Sequence, residues 1–237
     1  MVRKFQPGKP MILFVIFFFP TLLYLGYWQI NRGMEKKEII ELYDANRSYT
    51  PIFETEVEGT SSSILYRSII LEGEFLDQTY LLENRLYKQK SGYEVYSLFL
   101  TENRGLYLIN RGWVPKEIEK RRLLPVLEKK LFIEGVVSPF KRFGLNLYKQ
   151  RLSNNSLEVV QEIDYELVKS KTQTKELNNV VIQLSASSPY AYEPIWRPTE
   201  FKPSRHFGYA AQWWGLASVL IISFFIYAYK DLEDQGE

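Results

Sequence analysis

No cysteine occurs anywhere in the chain. Disulfides, thiolate metal sites, cysteine-ligated iron–sulfur clusters and covalent haem attachment through cysteine are therefore excluded, although the compartment stays open. Histidine is almost as scarce, with His206 the only one in 237 residues. A His-rich copper or zinc centre is excluded, and any transition metal held through imidazole has to use His206. One histidine and no cysteine also leave no basis for a Ser-His-Asp or Cys-His nucleophile system. No glycine-rich phosphate loop is present. Net charge is lacking too, at a formal +2. The basic runs are short, as in Lys120-Arg121-Arg122, and acidic residues lie close by, which argues against a nucleic-acid partner. Carboxylates such as Glu74, Glu83 and Glu134 are scattered over strand-like segments and read as solvated faces. The expectation is a protein that is not an enzyme.

What is present is apolar and unevenly spread. Mean hydropathy is slightly negative at −0.23, yet two blocks carry no charge at all. The first runs from Met11 to Ile30, about 20 residues, enough to span a hydrocarbon core of roughly 30 Å. Arg3, Lys4 and Lys9 precede it and Arg32 closes it, with Tyr24, Tyr27 and Trp28 near its end as an interfacial aromatic belt requires. Pro20 sits mid-span, where it can kink a helix. A cleaved signal peptide would need small residues at its end, and Tyr24-Leu-Gly-Tyr-Trp-Gln-Ile30 lacks them, so retention as an anchor is expected. The second block runs from Phe207 to Tyr229. Ala210, Ala211, Gly215, Ala217 and Ser218 cluster in its first half, and small residues let membrane helices approach closely. The two spans are expected to pack there, with residues 1–10 and 230–237 as tails on one side and residues 31–206 on the other. Counting Lys and Arg near the spans gives no support for tails in the cytoplasm, although long domains translocate largely regardless of charge.

The stretch between the spans reads as an α+β domain with a mostly antiparallel sheet, open or curled into a small barrel. Met34 to Asn46 has helical spacing. Strand signals cover Ser68–Phe75, Thr79–Asn84, Tyr93–Leu100, Leu106–Val114, Leu131–Val137 and Val180–Leu184, most of them rich in β-branched or aromatic residues. Pro115–Lys130 reads as a charged helix and Glu158–Lys171 as a short one. Ser187–Pro203 carries four prolines and is expected to be largely extended.

Three local features stand out. Leu25-Gly-Tyr-Trp-Gln-Ile-Asn-Arg32 ends the first span, where interfacial anchoring is the plain reading. Leu108-Ile-Asn-Arg-Gly-Trp-Val-Pro115 reads as a structural corner, with Trp113 buried and Arg111 reaching an acceptor. His206-Phe-Gly-Tyr-Ala-Ala-Gln-Trp-Trp214 opens the second span. Here His206, Ala210, Trp213 and Ala217 share one helical face. Ala210 leaves room beside the imidazole for a flat ligand, Trp213 can stack on one, an imidazole can ligate haem iron, and Arg205 or Arg32 can pair with propionates. The competing reading is an interfacial histidine bonded to water or backbone.

The three segments together resemble the Surfeit locus protein one family, the assembly factors of cytochrome c oxidase. They are the Leu-Gly-x-Trp-Gln…Arg segment ending at Arg32, the unbroken Asn110-Arg111-Gly112-Trp113-Val114-Pro115, and the His-x-x-Tyr-Ala-x-x-Trp segment from His206 through Tyr209 to Trp213. Gly92-Tyr93-Glu94-Val95 after Arg85 fits the same pattern. The resemblance spans nearly the whole chain and is weakest over Pro139–Leu184. It implies binding of haem A and its insertion into the oxidase core subunit. His206 is then the iron ligand, with Arg205, Tyr209, Trp213, Trp28 and Arg32 around it. Asn110, Arg111, Gly112, Trp113 and Pro115 are the structural motif. The core subunit and the haem A synthase are the implied partners, beside the lipid bilayer. The family topology implies cytoplasmic tails and a periplasmic domain. Only ten residues precede the first span, so the chain resembles the bacterial, inner-membrane members. Phe207 departs from the aliphatic residue more usual there. The alternative is a membrane scaffold that binds no cofactor and stabilises an assembly intermediate of an oxidase subunit.

Overall fold

The structure is a computed structural model that describes residues 3–57, 61–119, 123, 130–140, 155–172 and 177–231. In chain order its elements are β1 (Arg3–Phe5), α1 (Lys9–Arg47), β2 (Ile52–Phe53), 3-10 turns at Glu54–Glu56 and Ser61–Ile64, β3 (Ser68–Tyr87), β4 (Lys90–Thr101) and β5 (Leu106–Pro115). There follow β6 (Leu131–Ser138), β7 (Leu157–Val160), α2 (Tyr165–Lys171), β8 (Leu177–Leu184), α3 (Pro203–Ala228) and β9 (Tyr229–Asp231). They form two compact units, one of residues 1–41 with 199–237 and one of residues 42–198.

The first unit is a helix pair. Both α1 and α3 are long and apolar enough to cross a membrane. The apolar span and the amphipathic Met34–Asn46 segment are one continuous helix of 39 residues, roughly 58 Å long. Asn31-Arg32-Gly33 does not interrupt it. Gly33 stays helical and buried because the Phe207 ring occupies the place of a side chain, 2.5 Å from where a Cβ would stand. α1 runs through Pro20 and ends at Arg47, short of Pro51, whose ring disfavours helix in the residue before it. α3 starts on Pro203 at its first turn, where the missing N–H costs nothing. Beyond the far ends of both helices, β1 pairs antiparallel with β9, and Phe5 packs edge-on against Phe224 at 6.1 Å. The segments just outside the two helices therefore pair.

The second unit is a β-barrel. The strand path β3-β4-β5-β8-β6 closes on itself through a β3–β6 pairing, and β2 and β7 add to β3. Closure removes the free edges that an open sheet would expose. The three longest ladders, β3–β4, β4–β5 and β3–β6, are antiparallel. Three others, β2–β3, β3–β7 and β5–β8, are parallel. The segments expected as separate strands at Ser68–Phe75 and Thr79–Asn84 are one strand with a register irregularity between Phe75 and Thr79. Its first half pairs with β6 and its second half with β7, while β4 runs along most of it.

The barrel interior is filled by side chains. Ile69, Leu71, Phe75, Phe99, Ile109, Ile133, Val180 and Ile182 form one cluster. Leu81, Tyr93, Val95, Val114 and Leu123 form a second. Fully burying an aliphatic or aromatic side chain of this kind contributes roughly 1.5–3 kcal/mol. A third cluster, with Tyr80, Leu82, Tyr96, Leu98 and Leu108, packs under Ile163 and Val168 of the α2 region. The helix expected over Glu158–Lys171 is corrected here. Leu157–Val160 is strand β7, as β-branched Val159 and Val160 favour. Helix begins only after Asp164, whose Oδ1 accepts from the Leu167 N–H at 2.7 Å as an N-cap. The expected charged helix over Pro115–Lys130 lies mostly outside the described residues; Lys116–Glu119 is a turn and bend. Residues 187–202 are free of helix and regular strand, with turns and one isolated bridge at Glu193, and Pro203 already opens α3.

Candidate functional site

The helix pair follows a four–three spacing. On α1 the facing positions are Val15, Phe19, Leu22, Gly26, Gln29 and Gly33, and on α3 they are His206, Ala210, Trp213, Ala217, Leu220 and Phe224. This alternation is the spacing that keeps one face of each helix turned to a partner. Glycine and alanine hold buried positions on these faces: Gly26, Gly33, Ala210 and Ala217 are all buried. A Cβ on Gly26 would collide with the Trp214 indole at Nε1, and that same N–H donates to the Leu23 carbonyl at 3.3 Å. Of the five small residues expected at this contact, only Ala210 and Ala217, seven apart, face α1. Ala211, Gly215 and Ser218 are exposed on the other side.

Two of those facing positions are polar, and they meet. His206 Nδ1 lies 2.9 Å from Gln29 Oε1. The other ring nitrogen, Nε2, is buried and has no hydrogen-bond partner among the described residues. A buried nitrogen without a partner costs free energy, so its persistence marks a place where something else binds or where the pair tolerates strain. Chemically, an imidazole held at one nitrogen and open at the other is a one-point metal ligand with a fixed ring plane.

The remaining expected site residues are spread around this pair. Trp213 is half-buried on the His206 face. Tyr209 follows on the same flank but is 46% exposed. Arg205 lies over the Phe201 ring at 4.7 Å. Arg32 is exposed and bonded to Glu35 at 2.7 Å. Trp28 is not brought to His206: it is 44% exposed and sits about 200° around α1 from Gly26. Gln29, Gly26, Gly33 and Phe207 were not among the residues expected to form a site. The signal for Gln29 was in the sequence, since it is the sole polar residue in an otherwise apolar or glycine repeat.

The Asn110–Pro115 motif does a different job, inside the barrel unit. β5 bulges here: Val95 pairs with Gly112 and Tyr96 with Asn110, leaving Arg111 as the extra residue. Gly112 has φ +107°, and a Cβ there would lie 2.7 Å from the Glu193 carbonyl, so glycine is required. The bulge turns Arg111 inward. Its guanidinium donates to the carbonyls of Tyr190 (3.0 Å) and Leu123 (2.8 Å) and to the Tyr192 hydroxyl (3.3 Å), and stacks on the Tyr192 ring at 4.8 Å. Burial lowers its pKa from the usual arginine range. Trp113 is buried, donates from Nε1 to the Arg85 carbonyl at 3.0 Å and bridges to Glu193 through its backbone. Asn110 Nδ2 faces Glu94, Tyr96 and Gln183 oxygens, and its Oδ1 accepts from the Gly112 N–H at 2.9 Å. Glu94 is in turn paired with Arg85 at 2.8 Å. Arg111 and Trp113 are where a structural corner predicts them, and Pro115 ends the strand opposite Gly92.

Comparison with known proteins bears on the whole of this architecture. The model of the SURF1 family matches residues 16–218, from within α1 to within α3. A SURF1-like protein of Rickettsia felis is 28% identical over 224 residues, covering 91% of this chain and 95% of its own. One of Rickettsia conorii is 26% identical over 226 residues, 90% of each. The cytochrome oxidase assembly protein SHY1 of Saccharomyces cerevisiae is 29% identical over 180 residues, 71% of this chain and 46% of the yeast protein. With the family match spanning both long helices and the barrel between them, the chain belongs to the SURF1 family.

Proposed function

We propose that this chain is a membrane-anchored assembly factor for cytochrome oxidase that takes up haem A and releases it to the oxidase core subunit. In this reading α1 and α3 cross the bacterial inner membrane, the tails joined by β1 and β9 lie in the cytoplasm, and the barrel stands in the periplasm. Length and apolarity of the helices support the spans, and the name of the yeast relative supports the assembly role.

The observation that carries the haem reading is His206 Nε2, buried and without a hydrogen-bond partner among the described residues, on a helix pair otherwise lined by apolar and small side chains. Haem A is the cargo here, and the donor set fits it in kind. One imidazole ligates iron, Trp213 offers a flat apolar surface, and Arg205 is the cation at the same end of α3 for a propionate. A bound haem supplies an iron centre that accepts the imidazole lone pair. The barrel interior is occupied by its own side chains and offers the ring no room. Ligation from a single helix edge, between helices rather than inside a closed pocket, suits a carrier that must give its cargo up to the core subunit after receiving it from the haem A synthase.

The test uses the oxidase itself. In a host lacking this gene, the membrane oxidase should contain less haem A, and wild-type protein should restore it while His206→Ala, present at equal level, should not. Full restoration by His206→Ala would replace the carrier with a scaffold that holds an oxidase subunit without a cofactor. Orientation is read by single introduced cysteines, at Ser63 and at Gln235, which report cleanly on a cysteine-free chain. Labelling of Ser63→Cys from outside the inner membrane, with Gln235→Cys protected, is expected.

A further inference from the structure

We infer that Gln29 is the positioning residue of this site: it fixes the tautomer of His206 so that Nε2 presents its lone pair. The inference rests on the haem-carrier reading for its purpose, but its first step concerns the apo protein alone.

A neutral imidazole carries its single proton on one of two nitrogens, and the unprotonated one is the ligand. Gln29 Oε1 is a carbonyl oxygen and can only accept. At 2.9 Å from Nδ1 it therefore selects the Nδ1–H form. That leaves Nε2, the buried and unpartnered atom, as the bare nitrogen. The opposite tautomer would bury the Nε2–H donor without an acceptor and would require the Gln29 amide to turn over so that its NH2 donates to Nδ1. Metal-binding imidazoles are commonly held this way, with the distal N–H given to an oxygen that sets the ring plane.

The placement of Gln29 is itself constrained. It lies three residues after Gly26 and four before Gly33, the two points where Trp214 and Phe207 of α3 fill the space of a side chain. Helical spacing then brings residue 29 to the same face, so the amide reaches the imidazole without an extended detour. The polar pair also gives a plain structural alternative, a register lock between two apolar helices. The two roles differ in what a carboxylate at position 29 would do. A glutamate accepts from Nδ1–H as well as glutamine does.

The chain has one histidine, so ring-¹⁵N-histidine labelling of the full-length protein in detergent gives a single imidazole spectrum. We expect the apo wild type to show protonated Nδ1 and bare Nε2. Gln29→Glu should keep Nδ1 protonated, with Nε2 bare once the pH is high enough to leave the imidazole neutral beside a carboxylate, while Gln29→Leu should shift to a mixture or to the Nε2–H form. With iron protoporphyrin IX as the probe, Gln29→Leu should bind roughly 10- to 100-fold more weakly than wild type, and Gln29→Glu should restore binding. Circular dichroism and elution volume establish that each variant is folded. An Nε2–H form in the wild type, or an unchanged tautomer in folded Gln29→Leu, overturns the inference. Wild-type protein with bare Nε2 that binds neither iron protoporphyrin IX nor haem A would leave Gln29 as the positioning residue and overturn the carrier reading instead.

Discussion

In the barrel unit, Arg111 donates to two carbonyls and a hydroxyl, and Asn110 reaches Glu94, Tyr96 and Gln183. In the helix pair, His206 meets Gln29 on one side and no described partner on the other. The barrel spends its polar residues on itself. The bulge at Arg111-Gly112 turns one side chain inward and keeps Asn110 and Trp113 on the outer face, and the last segment before α3 is stitched to β5 through Glu193. Among the described residues the helix pair has far fewer polar groups, and His206 Nε2 is left without a hydrogen-bond partner. The difference separates a motif bonded throughout the barrel from a residue pair with one nitrogen left over, the pair on which the proposed haem site rests, although both stand out in the sequence to a similar degree.

The sharpest way to break the barrel side of the comparison is Arg111→Ala. It strips donors from the Tyr190 and Leu123 carbonyls and from Tyr192, and is expected to destabilise the barrel by about 3 kcal/mol or more. Urea unfolding followed by tryptophan fluorescence measures it, and a change within about 0.5 kcal/mol would make the motif something other than structural. On the helix side, Gly26→Leu must push the Trp214 indole aside. The expected cost is about 2–3 kcal/mol of helix pairing, read as a shift of Trp214 emission against a Trp214→Phe control. Gly112→Ala combines a left-handed backbone with the contact to Glu193 and should cost about 1–3 kcal/mol, mostly seen as a lower urea midpoint.

The smallest effect concerns an exception within the barrel. The Tyr80 hydroxyl is buried with no partner among the described residues, while Glu158, its register neighbour on β7, pairs with Lys171 at 3.3 Å. Burial first, and then Glu158, raise the Tyr80 pKa above the usual phenol value of 10.0. Burial first raises Tyr96 as well, with Glu94 adding to it. A raised folded value means that the folded state keeps its proton where the unfolded state has lost it. The stabilisation is therefore complete below about pH 10 and declines as pH rises beyond. Tyr80→Phe should change stability at pH 7 by less than about 1 kcal/mol and should flatten the loss between about pH 9 and pH 11. A steeper alkaline loss in that variant would contradict the assignment.

Much of the fold was legible because most strand segments are rich in β-branched or aromatic residues. Leu131–Ser138 alternates buried and exposed residues along much of its length, and the expected strand over Leu131–Val137 matches it to within a residue. The parallel partners were not legible. β5 lies beside β8 because closure brings them together, and closure is a property of the whole sheet rather than of either segment. Leu76-Asp77-Gln78 read as a gap between strands because a bulge looks polar and irregular in sequence. Arg32 read as the close of the apolar span and Met34 as the start of a separate helix because charge begins there, yet α1 runs on through Gly33, which packs on Phe207. At the site, His206 was visible by its uniqueness. Gln29 was in plain view beside Trp28, yet only pairing the two four–three repeats across α1 and α3 shows that the glutamine, rather than the tryptophan, faces the histidine.

The most direct test of the central claim is the absorption spectrum of the detergent-purified protein, produced together with haem A synthesis, beside His206→Ala. The account predicts a haem A band in the parent and its loss in the variant, with both proteins folded to the same degree. A band of equal strength in His206→Ala, or none in a folded parent, would contradict it.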